Sequence, residues 1–142
     1  MKKKILLLTG IIIIICLSVF YINKRYFFNP MAFNKDRITS HEWSDYQRPL
    51  TMTYVDFEGK RKTYTIEDEE KIRDVIQELK KCTNLDKESG STGEVKGGLT
   101  LKSENKNHLL DVLIYSNHWE VLKKGSQKYY LSSSLKQFVS NY

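Results

Sequence analysis

The sequence predicts an α+β protein, in which an N-terminal transmembrane helix precedes a small domain built on an antiparallel sheet of about five to six strands with two helices on one face. Three observations predict it. An uncharged apolar run fills Ile5 to Ile22, two later segments repeat apolar residues at i, i+3, i+4 and i+7, and short alternating segments broken by polar turns lie around them. The element order reads ββα-ββββ-α after the first helix. Residues 1–22 form the anchor, 23–49 a juxtamembrane tether, and 50–142 the water-soluble domain.

The anchor follows from length and flanks. Met1-Lys2-Lys3-Lys4 is a basic start, and the 18 residues after it carry no charge. As a helix they extend about 27 Å, close to the roughly 30 Å hydrocarbon core of a bilayer. A cleaved signal peptide is the alternative, but no Ala-x-Ala-like site follows the run, and Ser18-Val19-Phe20 ends in a bulky residue. Cys16 lacks a small residue before it, so lipid attachment there is disfavoured. Lys2, Lys3, Lys4 and the amino terminus against Lys24 and Arg25 favour a cytoplasmic amino terminus and an extracytoplasmic domain, although Lys35 and Arg37 even the count over a longer window. Tyr21, Tyr26, Phe27 and Phe28 cluster at the exit, where amphipathic rings favour the headgroup level; packing on the domain is the competing reading.

Residues 23–49 show no sustained period, and Pro49 marks the expected start of the folded unit. Leu50 to Phe57, a Glu58-Gly59-Lys60 turn and Arg61 to Ile66 make the first hairpin. Ile72, Val75, Ile76 and Leu79 then form one helical stripe, with Asp68 as N-cap, acids at the start and Lys80-Lys81 at the end, the charge order the helix dipole favours. Thr83 to Val95 reads as an exposed polar loop. Leu99 and Leu101, a turn at Glu104 to Asn107, and Leu110, Val112 and Ile114 give a second hairpin. Trp119 to Lys123 and Gln127 to Leu131 give two short strands joined at Lys124-Gly125-Ser126. Leu135, Phe138, Val139 and Tyr142 repeat the helical stripe behind a Ser132 or Ser133 cap.

Charge and cysteine content exclude several classes. The chain carries +6, but residues 1–22 hold three lysines and no acids, so the remainder carries 20 basic and 17 acidic residues, a net +3. Interleaved charges of that size are not the footprint of a nucleic-acid binder. Cys16 and Cys82 fall on opposite sides of the membrane boundary, which leaves no disulfide framework or metal knuckle.

Candidate chemistry is sparse. His41-Glu42-Trp43-Ser44-Asp45 matches half a zincin motif, with Asp where the second His belongs. His108 and Asp111, three apart in a strand, are expected on opposite faces, whereas His118 and Glu120 share one. No cofactor is implied. The surface most suggestive of binding is Trp119, Lys123, Lys124, Lys128, Tyr129 and Tyr130, aromatic and basic residues suited to an anionic partner; Trp119 and one tyrosine are alternatively core. Tyr64-Thr65-Ile66, Asp68, Lys71-Ile72, Ile76 and Leu79, followed by paired strands and the Tyr129-Tyr130 to Leu135/Phe138 ending, resemble small anchored or lipoprotein envelope domains of low-GC Gram-positive bacteria, families of unassigned function. The resemblance spans Thr51 to Tyr142 and carries no catalytic residues; the lipobox of the lipoprotein members is absent here. The expected function is a non-enzymatic, single-pass membrane protein whose domain binds an envelope protein or an anionic wall polymer. A membrane-associated inhibitor or immunity-type protein is the alternative, and a small wall hydrolase using His118 and Glu120 ranks third.

Overall fold

A computed structural model describes residues 2–85, 93–123 and 127–141. Helix α1 runs from Lys2 to Arg25, past both ends of the expected span, and most of its described apolar side chains are exposed, among them Leu7, Ile14 and Phe20. It is long and apolar enough to cross a membrane. Strands β1 (Thr51–Asp56) and β2 (Lys62–Ile66), helix α2 (Glu69–Lys81), strands β3 (Val95–Lys102), β4 (His108–Tyr115), β5 (His118–Val121) and β6 (Lys128–Tyr130), and helix α3 (Ser133–Ser140) follow. The six strands form one antiparallel sheet in the order β2-β1-β3-β4-β5-β6.

Alternation fixes which face is covered. Met52 and Tyr54 of β1, Leu99 and Leu101 of β3, and Val112 and Ile114 of β4 are buried, while the residues between them are partly exposed. The buried set packs in one cluster with Ile72, Val75, Ile76 and Leu79 of α2 and Leu135 of α3, so both helices lie on the same face. Both caps form as their sequences require: Asp68 accepts from the amides of Glu70 and Lys71, and Ser132 from that of Leu135. Tyr142, expected at the end of the last stripe, lies outside the described residues, as does most of the Thr83 to Val95 loop. Gly97 is required by close approach. A Cβ there would meet the Tyr54 ring and the Val55 carbonyl at 2.7 Å, so β3 runs bare beneath the tyrosine. At the far edge, Leu85 donates to the Lys128 carbonyl and Tyr130 to that of Thr83, which extends the sheet past β6.

The expected tether is a structural part of the domain. Phe27, Ile38 and Tyr46 are as buried as the sheet core. Phe28 joins Phe27 and Tyr46 edge-on at 4.9 Å in each case, with Phe33 at 5.1 Å. The segment is strapped along α2 by three cations and their partners. Arg48 Nε meets Glu69 Oε1 at 2.6 Å, and Arg73 donates to the Phe27 carbonyl at 2.5 Å with its guanidinium 3.9 Å above the Phe27 ring. Lys80 Nζ bridges Asp36 at 2.8 Å and the Thr39 hydroxyl at 2.8 Å. Burial acts to raise the Asp36 carboxyl, but Lys80 and the amides of Thr39 and Ile38 outweigh it and hold it below the usual range. The folded unit therefore begins before Pro49, because these aromatics bury surface without following a helical or strand period.

The strap also grips α1. The Phe27 amide donates to the Tyr46 carbonyl and the Arg48 amide to the Arg25 carbonyl, both at 2.9 Å, and the Arg48 guanidinium reaches the Asn23 carbonyl. Tyr26 and Gln47 form an antiparallel bridge between them. These bonds satisfy carbonyls at the helix end and place a cation where the dipole favours one.

Truncating Phe27 to alanine in the full chain is expected to cost about 3–5 kcal/mol, the range for a buried phenylalanine. A tether residue would change stability by only about 0.5 kcal/mol or less, so denaturant unfolding distinguishes the two roles.

Candidate functional site

Period-two geometry decides what becomes of the aromatic and basic patch. Trp119 and Tyr129 are cross-strand partners whose rings stack at 4.3 Å on the helix-covered face, and Trp119 is fully buried. Lys128 and Tyr130 alternate with Tyr129, so they pair with Glu120 and His118 on the opposite, uncovered face. Lys123 is exposed just beyond β5, and Lys124 lies outside the described residues. The sheet thus divides the expected surface: of its described residues, Trp119 and Tyr129 are core, and Tyr130, Lys128 and Lys123 lie outside the core.

The uncovered face holds a polar cluster that the patch reading overlooked. The Tyr115 ring stacks on His118 at 4.2 Å and 8°, and its hydroxyl donates to Glu120 Oε1 at 2.8 Å. His118 Nδ1 lies 2.7 Å from Asn117 Oδ1, and the residue is only 1% exposed. Burial pushes the imidazole below its usual pKa and Lys128 adds to that, against the opposing pull of Glu120, so His118 is neutral at pH 7. His118 and Glu120 do share a face, as expected. The carboxylate, however, is engaged by a tyrosine and the imidazole is enclosed, an arrangement that braces the end of the sheet.

His108 and Asp111 are brought together rather than apart. Leu101 pairs with Leu110 and Lys102 with His108, so Leu109 is an extra residue in β4, and the parity of the strand shifts by one. His108 Nδ1 consequently lies 3.1 Å from both Asp111 oxygens, while the Thr100 hydroxyl donates to Asp111 Oδ1 at 2.9 Å. The signal was present in the adjacent Leu109-Leu110, two apolar residues where alternation allows one. At the half-zincin string, His41 Nδ1 is 3.9 Å from Asp45, and Asp45 accepts the Glu42 amide in a capped turn. Among the described residues no group of three or more His, Cys, Asp or Glu is arranged to hold a metal ion. Cys82 is half-buried and its thiol donates to the Glu78 carbonyl at 3.2 Å.

A cleft of about 330 Å³ opens between α3 and the ends of β1, β3 and β4, with Tyr54, Asp56, Lys96, Tyr115 and Lys136 in its walls. Burial, with Asp56 and Glu58 adding to it, pushes the Tyr54 phenol up to about 12. Hydrogen bonds from Lys96 to Glu58 at 2.5 Å and Glu94 at 3.0 Å raise the lysine, so it stays an ammonium. The chain matches no protein-family model, and no curated protein or solved structure is similar to it at a significant level.

The lowered His118 pKa fixes a sign. Above about pH 6.5 the imidazole is neutral in both states; as pH falls below it the unfolded chain gains a proton that the folded His118 resists, so stability drops until the lowered folded value is passed. His118→Phe, which keeps a ring against Tyr115, is expected to flatten that part of the slope in urea titrations between about pH 8 and about pH 5. An unchanged slope would assign the effect elsewhere.

Proposed function

We propose that the chain is a single-pass membrane protein that presents a small, non-enzymatic α+β domain outside the cell to an envelope protein or an anionic wall polymer. The observation that carries this reading is α1, an exposed apolar helix whose last turn is hydrogen-bonded into the domain at Arg25, Asn23 and Tyr26. Exposed apolar side chains along a helix of that length are suited to a nonaqueous environment. The junction belongs to the folded domain, which favours a retained anchor over a segment removed after export. The resemblance to Gram-positive envelope domains points the same way. The recognition surface is the uncovered sheet face with Tyr130 and Lys128, together with the cleft beside α3.

Location is tested with a thiol at an exposed position. In a Cys16→Ser, Cys82→Ala background, Lys60→Cys in the β1–β2 turn is expected to react with a membrane-impermeant maleimide in intact cells. Reaction only after lysis would reverse the orientation. Binding is tested by cross-linking in intact envelopes, where the full chain is expected to capture a component that a control of residues 1–25 does not. Equal recovery from both would remove the binding role.

A further inference from the structure

We infer that the junction of α1 and the strap is itself a bilayer-docking surface, whose partner is the anionic headgroup layer of the membrane that α1 spans; this rests on the anchor reading above. The apolar run ends at Ile22, and the Tyr26 amide donates to the Ile22 carbonyl at 2.9 Å, so the chain is still helical there. Four residues rise about 6 Å. The headgroup layer on each side of the hydrocarbon is of similar depth, roughly 5–7 Å. Tyr26 is therefore at headgroup level, and the Trp43 ring, edge-on to it at 4.7 Å and 70°, is held there too. Both rings are half-buried, and Tyr21 is exposed below them on α1. Trp and Tyr in that position partition into the interface.

Charge at the same level is complementary to anionic lipid. Lys24 and Arg25 are exposed, and among the described residues neither has a carboxylate within ion-pairing distance; Arg25 reaches only the Gln47 side chain, at 3.5 Å. Beside Trp43, Glu42 is paired with Lys35 at 2.6 Å, whereas Asp45, which accepts the Glu42 amide at 3.0 Å, keeps its charge and is outweighed by the two cations. The collar thus presents two unpaired cations and two interfacial aromatics, the combination that a headgroup layer containing anionic lipid attracts. Trp43 enters this collar only through the strap, so the docking surface is a property of the folded domain and not of the helix alone.

Trp43 and Trp119 are the two tryptophans of the chain, and Trp119 is fully buried. The full chain is reconstituted into bilayers containing lipid with a quencher near the headgroup, with and without an anionic lipid. The native chain is expected to show a quenchable emission component that disappears in Trp43→Phe, and quenching is expected to be stronger in the anionic bilayer. Lys24→Gln with Arg25→Gln is expected to abolish that lipid preference. Flotation after an alkaline wash separates the two readings. A chain that washes off loses the anchor and the docking surface together. A chain that stays embedded but is quenched equally with and without Trp43 overturns docking alone, and equal quenching of the native chain in both bilayers overturns the role assigned to charge.

Discussion

Helix α2 is the element on which the other layers depend, because it is used on both sides. Ile72, Val75, Ile76 and Leu79 seal the sheet, and Glu69, Arg73 and Lys80, spaced along the remaining surface, hold the segment that connects α1 to β1. In so small a domain a single core is marginal, and the strap adds Phe27, Ile38 and Tyr46 to it. Two of the three links join charge to charge at partly exposed positions, where an ion pair contributes modestly. Their work is directional: they choose where the aromatics bury, and burial supplies the stability.

How far the sequence reveals this depends on periodicity. Helix α2, the β3–β4 hairpin and α3 repeat with regular spacing, and each forms where the spacing places it. The strap has no repeat, since Phe27, Phe28, Phe33 and Tyr46 converge from an irregular path, and composition alone cannot tell such a path from a linker. The acids of α2 show the same limit from the other side. Their order satisfies the helix dipole without any partner, so nothing local to Glu69 points to Arg48, 21 residues earlier in the chain.

The candidate surfaces are less legible, for a geometric reason. Neighbouring residues of a strand face opposite ways, so a patch gathered from sequence proximity is split by the sheet, as Tyr129 and Tyr130 are. The bulge at Leu109 does the reverse, uniting His108 with Asp111 across a spacing that a regular strand forbids. Long-range contacts such as Trp43 with Tyr26 leave no local trace at all.

The same strap sets a mechanical scale. If residues 23–49 were a flexible coil, the domain would roam through a volume with a radius of roughly 30 Å about the end of α1. Bonded at Arg25 and buried at Phe27, Ile38 and Tyr46, the segment is fixed at both ends and in its middle instead of free along its length. The sheet is then held within bonding distance of the end of α1, and its reach is set by the breadth of the domain instead of by the length of a leash.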